Sequence, residues 1–504
     1  MSTSNDKDLS YQSASELVSA MLDGKISSLE LLEATIARIE TLDTKINAVV
    51  VRDFEQARLA AKAADAAIAR GENKPLLGLP ITVKESFNVS GLPTTWGNPE
   101  YKNWMPKEDA LLIARLKQAG AIIIGKTNVP YMLMDWQSYN DIYGTTNNPW
   151  DINFTPGGSS GGSAAALAAG FVSLELGSDL AGSVRVPAHY CGIFGHKPSA
   201  NLLPLRGSGP PTSPPSPHPV TDFAVAGPMA RTATDLALAL KILARPDEIW
   251  DGKAYKLSLP AARHNEIKNF RVLILDTHPL CTTSTLIQKS IDDLAENLVR
   301  TGMTISRDTK IVPVLAEITR IYVELFAAFV AGRFPVDEYQ HYTIAAKKLM
   351  DNDSSIEACF LRGCAMSYRD WMMKTRIRAM LCQQWRELFK EFDIILCPVT
   401  PTPAFRHDHS DPGTRQIEID GKLFPYNDQY AWISIATLFG LPATVIPIAH
   451  AENGLPIGIQ AIGDYLEDYT TIQFAHLIER EFGGFSMKFS IDMKCNEHFF
   501  TFLN

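Results

Sequence analysis

Two serine-bearing glycine turns carry the residues that could do chemistry. Residues 156–170 read PGGSSGGSAAALAAG, and residues 177–199 read GSDLAGSVRVPAHYCGIFGHKPS. Ser159 and Ser183 are the candidate hydroxyls. A serine hydroxyl is a weak nucleophile until a base takes its proton, and spacing singles out none of the 11 histidines for that task. A lysine can serve if it is neutral. Lys84 closes the apolar run LLGLPITVKES, and Lys197 follows CGIFGH. Burial at a strand end disfavours the ammonium form and lowers its pKa, each unit being worth about 1.4 kcal/mol. On the residues alone, either lysine could be the base.

The second turn has a further use. Small residues at Ala181 and Gly182 let a carbonyl approach the backbone. Successive N–H groups could then converge on one developing oxyanion, each such donor being worth roughly 3–4 kcal/mol at a transition state. Asp179 and Arg185 flank the turn and could pair to brace it. Other chemistries fit less well. The first stretch lacks GxGxxG and the Lys-Ser/Thr ending of a phosphate-binding loop. Gly157, Ser159 and Gly161 satisfy GxSxG, but the strand that a nucleophile elbow needs before its serine is missing. RHDHSD, residues 406–411, has no spacing that fixes metal-ligand geometry, and a solvated loop is expected there.

These residues need a scaffold. Ser13/Glu16 and Ser27/Glu30 fit capping boxes. Leu29, Leu32, Ile36 and Ile39 repeat at helical spacing, and an alanine-rich helix over 53–70 closes at Gly71. LLGLPITVKES reads as a buried strand, 108–119 as a helix and AIIIGKTN as a strand, an order that implies parallel α/β organisation. FVSLEL, FRVLILDTH, FDIILCPVTPTP and LPIGIQAIG add strands. WISIATLFGLPATVIPIAH supplies a helix and a strand. TLIQKSIDDLAENLVRTG and most of 314–390 read as helical. Strands on both sides of a helical middle point to one sheet completed by both ends of the chain, with the middle as a cap. The proline-rich stretch 204–220 reads as a semi-rigid surface connector, and the tail from 486 to 504 has no clear period.

Composition narrows the function. The chain has 504 residues, 46% hydrophobic and 20% charged, with a net charge of −9 and no long basic run, which disfavours nucleic-acid binding. No run of about eighteen apolar residues suggests a membrane span, and MSTSNDKDLS holds no apolar signal core. Seven dispersed cysteines without CxxC pairs point to reduced thiols and a cytoplasmic location.

GGSSGGSAAALAAG followed by GSDLAGSVRVPAHYCGIFGHKPS resembles the amidase signature family of serine hydrolases. LLGLPITVKES, GKTNVP, YGTTNNPWD, DFAVAGPMART, CPVTPTPAF and GLPATVIPIA…GLPIGIQAIG extend the likeness in order along most of the chain. It is weak over 250–390 and absent over the last twenty residues. The resemblance implies an α/β fold with a single large mixed β-sheet covered by helices on both faces. It implies an N-terminal helical segment over 1–75, a catalytic domain over 76–490 and a variable helical cap over 250–390. It also implies a Ser-Ser-Lys set in which Lys84 is the base, Ser159 the bridging serine after a cis peptide at Gly158, and Ser183 the nucleophile. The backbone amides of Leu180, Ala181, Gly182 and Ser183 would form the oxyanion hole. The implied reaction is hydrolysis of linear carboxylic amides through an acyl-enzyme, with no metal or organic cofactor; a small-molecule amide is the expected partner, and a homodimer is allowed.

Three positions depart from the family pattern. Ala181 stands where many members have Gly, which is tolerable at negative φ. Glu85 stands where many have Asp. Tyr131, followed by Met132 in an apolar run, stands where an acidic residue is common, so Tyr131 and Met132 are expected at a changed substrate pocket. The family also includes the A-type component of the tRNA-dependent amidotransferase, which works inside a larger complex; the 204–220 stretch does not look like that component. Esters or carbamates are open to the same acyl-enzyme chemistry.

Overall fold

A computed structural model describes residues 9–211 and 222–486. Most of the proline-rich connector and nearly all of the tail over 486–504 therefore lie outside the described residues. The main sheet has eight strands in the order Thr304–Ser306, Arg271–Ile274, Ile394–Pro398, Pro456–Ile462, Ala443–His450, Phe194–Lys197, Val225–Ala230 and Leu174–Asp179. The first three run parallel to one another and the remaining pairs are antiparallel, so the sheet is mixed. Helices cover it, and the fold class is α/β with one large mixed sheet, as the resemblance implies. Its centre comes from the C-terminal part of the chain, Pro456–Ile462 being paired between Ile394–Pro398 and Ala443–His450, while residues 174–230 supply one edge; the earlier strands do not join it, contrary to the expectation of a single sheet completed by both ends of the chain.

The strand that ends in Lys84 belongs to a smaller sheet, in the order Val49–Arg52, Ile122–Thr127, Pro80–Lys84. Pro80–Lys84 and Ile122–Thr127 are parallel, with the helix Leu111–Gln118 between them in sequence, the strand–helix–strand unit the pattern predicts. Pro80–Lys84 lies directly beside the edge strand Leu174–Asp179 of the main sheet. That contact carries Lys84 to the Ser183 turn.

The N-terminal helices begin as their sequences dictate. Ser13 and Ser27 each accept a hydrogen bond from the amide three residues on, and Glu16 and Glu30 reach back to close both capping boxes, each worth about 1 kcal/mol. The helix Ser28–Ile46 buries Leu32, Ile36 and Ile39 as one stripe, with Leu29 at its margin. The predicted helical middle is four helices, Leu315–Ala331, Val336–Ala346, Ile356–Cys364 and Tyr368–Glu391. The first of these packs its aromatic face over the Ser183 turn. The six described cysteines are free thiols, five of them buried. No described helix is long and apolar enough to cross a membrane.

Candidate active site

Ser159 lies in a loop that no strand precedes and that runs directly into the helix Gly161–Ala168. The Gly158–Ser159 peptide is cis. The glycines are demanded by close packing. A Cβ on Gly158 would stand 2.4 Å from the Asp135 carbonyl oxygen, and one on Gly162 would stand 2.3 Å from the Asn128 nitrogen. Ser138 spans the loop: its hydroxyl donates to the Gly157 carbonyl at 3.0 Å and accepts from the Gly161 amide at 3.1 Å.

Lys84 sits at the end of a strand in which every residue is buried. Its Nζ is 2.7 Å from Ser159 Oγ, 3.0 Å from Ser178 Oγ and 3.4 Å from the Ser178 carbonyl oxygen. Ser160 Oγ donates to the same Ser178 carbonyl at 3.3 Å, and the Ser160 amide donates to the Ser183 carbonyl at 3.2 Å. The two glycine turns are thus stitched together around the amine. Burial drives the Lys84 pKa down to about 7, against the opposing pull of Asp179 and Glu175. Glu175 is itself pushed up to about 7 by burial. It accepts from Thr127 Oγ1 at 3.0 Å and from the Leu176 amide at 2.9 Å.

The rival lysine is equally buried and is also lowered to about 7, by burial and then by Arg185. Its partners differ. Lys197 Nζ donates to the Pro198 and Leu441 carbonyls at 2.9 and 2.7 Å. Geometry therefore separates two lysines that residue types and spacing alone leave equivalent, in favour of the one the resemblance implies: Lys84 meets serine hydroxyls, and Lys197 meets peptide carbonyls.

The Ser183 turn follows the strand Leu174–Asp179 and leads into the helix Arg185–Cys191. Ser183 is buried at 7% exposure. Gly182 has φ +87°, which glycine accommodates, while Ala181 stays outside the left-handed region. Asp179 and Arg185 form a fully buried ion pair at 3.0 Å, the bracing the sequence suggests. Burial works to raise the Asp179 carboxyl, but the charge and hydrogen bonds of Arg185, together with Lys197 and the Val184 amide, more than offset it and the pKa is lowered. Asp179 also accepts from the Gly182 amide at 2.9 Å and the Val184 amide at 3.2 Å. This alters the expected oxyanion set. The Gly182 N–H is engaged by Asp179, whereas the amides of Leu180, Ala181 and Ser183 have no acceptor among the described residues.

An aromatic wall stands over this turn. Trp136 Nε1 donates to the Ala181 carbonyl at 2.7 Å, and the Tyr322 hydroxyl donates to the Leu180 carbonyl at 3.1 Å. Tyr430 packs on Trp136 with ring centroids 4.8 Å apart, and Phe326 packs on Tyr430 at 5.4 Å. None of these follows from sequence spacing, because they come from separate segments. The expected pocket pair sits in the single-turn segment Tyr131–Leu133, shortly before Trp136 in the chain. Tyr131 is 54% exposed. Met132 is tied by its amide to the Trp96 carbonyl at 2.7 Å. Glu85 anchors that strip from below, accepting from the Thr95 and Trp96 amides at 2.5 and 2.9 Å. The 406–411 loop is a buttress as well as a solvated loop. The Gln137 side chain donates to the Asp408 carbonyl and accepts from its amide at 3.0 Å, and His409 stacks on Tyr139 at 3.8 Å. Among the described residues no group of three or more His, Cys, Asp or Glu could hold a metal ion.

Fold and site together have the form of a serine-bearing hydrolase scaffold with a buried lysine. The amidase family model matches residues 30–472, and the chain belongs to the amidase signature family. It is 31% identical over 487 residues to the A-type component of the glutamyl-tRNA(Gln) amidotransferase of Roseiflexus castenholzii, covering 91% of this chain and 93% of that protein. Among solved structures, it resembles a protein from a vestigial complex that bears on the origins of an s-triazine catabolic enzyme. The identity there is 28% and the TM-score 0.77, with 93% of this chain and 98% of the other covered. It also resembles an amidase at 26% identity and TM-score 0.74, covering 94% and 100%.

Proposed function

We propose that this chain hydrolyses linear carboxylic amides through a Ser183 acyl-enzyme, with Ser159 and Lys84 as the proton relay. The observation that carries the reading is the 2.7 Å contact between Ser159 Oγ and a fully buried lysine amine whose pKa is about 7. Neutral Lys84 accepts the Ser159 proton as Ser159 takes the proton of Ser183. Ser183 Oγ forms a bond to the substrate carbonyl carbon, and the carbonyl π electrons move to oxygen. The Leu180, Ala181 and Ser183 amides receive that oxyanion. As the C–N bond breaks, the relay returns a proton to the leaving nitrogen. Water repeats the sequence on the ester and frees the acid and Ser183. No step calls on a metal or an organic cofactor, and a reduced cytoplasmic setting suits the free thiols.

The aromatic wall of Trp136, Tyr430 and Phe326 supports an apolar acyl group. The test is a panel of amides, esters and carbamates on wild type and Ser183→Ala. The variant should lose at least about a thousandfold in kcat on every cleaved substrate. Retained turnover in Ser183→Ala would sink the reading, and the panel ranks amides against esters and carbamates.

A second reading has support from the curated relatives: the chain as the A-type component of a tRNA-dependent amidotransferase. It shares the same site chemistry. The chain purified alone separates the two. Cleavage of simple amides by an isolated monomer or homodimer favours the first reading; activity only on adding the other components of such a complex favours the second.

A further inference from the structure

One buried carboxyl beside the relay has no part in the proposed proton transfers. Glu175 is 1% exposed and lies on the strand Leu174–Asp179, which leads to the Ser183 turn. Its partners stand on the elements that carry the other two relay residues. Thr127 Oγ1 donates to Glu175 Oε1 at 3.0 Å, and Thr127 is the ladder partner of Lys84. Ser163 Oγ lies 2.9 Å from Thr127 Oγ1 and donates to it, because the Thr127 proton is committed to Glu175. Ser163 stands in the helix Gly161–Ala168, into which the Ser159 loop runs. Thr82 shares a strand face with Lys84 and approaches the same carboxyl. All three hydroxyl side chains are fully buried. The three segments that bear Lys84, Ser159 and Ser183 therefore meet at one acid.

The surrounding charges leave that acid to act on Lys84. Both Glu175 and Asp179 pull on the Lys84 amine, but Asp179 is paired with Arg185 and is also drawn by Lys197. Lys126 lies 4.0 Å from Glu85, and it alternates with Thr127 along its strand, so it points away from Glu175. On the adjoining strand Met229 stands opposite Glu175 and brings no charge. The bonds to the Glu175 carboxyl come from neutral donors, Thr127 and the Leu176 amide.

We propose that Glu175 is a positioning residue of the relay: it gathers the Lys84, Ser159 and Ser183 segments onto one carboxyl, and its negative charge opposes loss of the proton from Lys84. The inference rests on the proposed relay and adds a residue that governs it. The direction is fixed by electrostatics. A carboxylate near the amine favours the ammonium, so neutral Lys84 forms at a higher pH than it would alone. Glu175 is itself pushed up to about 7 by burial, so its charge arrives over the pH range in which Lys84 loses its own.

Three variants test this. Glu175→Gln removes the charge and keeps an acceptor for Thr127. The midpoint of its kcat/KM profile for an uncharged amide should fall by about one pH unit. Glu175→Asp keeps the charge and gives up the reach to Thr127, so kcat should drop about tenfold with no fall in the midpoint. Thr127→Val is close in volume and takes one bond from the carboxylate, which favours its neutral form; the midpoint should move as in Glu175→Gln, by less. If Glu175→Gln does not fold, Thr127→Val carries the same test. A merely structural role would lower kcat in all three and leave every midpoint in place. Unmoved midpoints, or a rise in Glu175→Gln, overturn the inference while leaving amide hydrolysis intact. If the wild type cleaves no amide, the hydrolase reading fails by itself, and the amine is followed directly. NMR titration of lysines labelled with carbon-13 at Cε, with the Lys84 signal assigned by its loss in Lys84→Met, compares wild type with Glu175→Gln. A lower Lys84 midpoint in the variant supports the hold of Glu175 on the amine; equal midpoints overturn it.

Discussion

Asp179 Oδ1 accepts the Gly182 amide at 2.9 Å, and through the same carboxylate Asp179 is paired with the guanidinium of Arg185. One buried charge therefore sets the conformation of the turn that carries Ser183. It engages the Gly182 N–H, while the amides of Leu180, Ala181 and Ser183 have no acceptor among the described residues. Arg185 is held in turn by Gln460 Oε1 at 3.0 Å and Thr437 Oγ1 at 2.7 Å. The turn is thereby fixed to residues more than 250 positions away.

Asp179→Asn should cost about 3–5 kcal/mol, because the Arg185 charge is left buried and unpaired. Arg185→Met should cost a similar amount. The double variant should cost clearly less than the sum, since no isolated charge remains. Urea unfolding of the three variants checks this. Additive losses would show that the pair does not act as a unit.

Activity should depend on one deprotonation near neutrality. Lys84 has a pKa of about 7, and in the proposed relay it must be neutral to accept the Ser159 proton. Below that pH, kcat/KM for an uncharged amide should fall about tenfold per unit, and above it should level off. Lys84→Arg should be inactive at every pH, because a guanidinium does not deprotonate in proteins. A flat profile from pH 5 to 9 would remove Lys84 as the base.

Much of this site is legible in the chain because its parts are local. The capping boxes, the buried strand ending in Lys84 and the glycine turns around Ser159 and Ser183 each follow from residues close together in sequence. What is not legible comes from distant segments. Choosing Lys84 over Lys197 from the residues requires knowing which carbonyls or hydroxyls surround each amine, and Leu441 lies 244 residues from Lys197. Trp136, Tyr322 and Tyr430 converge on the turn only through tertiary packing. The helix Asp468–Phe482 lacks a side-chain N-cap, and the strand Val49–Arg52 has only four residues, so both escape pattern reading.

Ser138 should act as a positioning residue. Its hydroxyl joins the Gly157 carbonyl to the Gly161 amide across the loop that holds Ser159. Ser138→Ala removes both bonds and leaves two buried backbone groups unpaired, at about 1–3 kcal/mol. Misplacing Ser159 by a fraction of an ångström should lower kcat about tenfold to a hundredfold. KM should stay within about twofold, and the pH profile should keep its midpoint. A raised KM with unchanged kcat would place Ser138 in substrate binding instead.

Lys84→Met should reveal the cost of keeping the amine buried, and the sign of that cost with pH is fixed. In the unfolded chain lysine titrates near 10.4; in the fold Lys84 titrates at about 7, lowered by burial. Below pH 7 both states are charged, and the fold bears the full penalty of a desolvated ammonium. Between about 7 and 10.4 the unfolded chain binds the additional proton, so wild-type stability rises with pH by up to about 1.4 kcal/mol per unit. Above that range neither state is charged and the penalty is gone. Methionine fills a similar volume and carries no charge at any pH. The variant should therefore be more stable than wild type at pH 6, with an advantage that shrinks steadily toward pH 10. Lys197 titrates at about 7 in both proteins and cancels in the comparison. Urea unfolding at pH 6, 8 and 9.5 measures the difference. An advantage that does not change with pH would mean that the amine is not the source of the penalty, and the buried base would lose its thermodynamic footing.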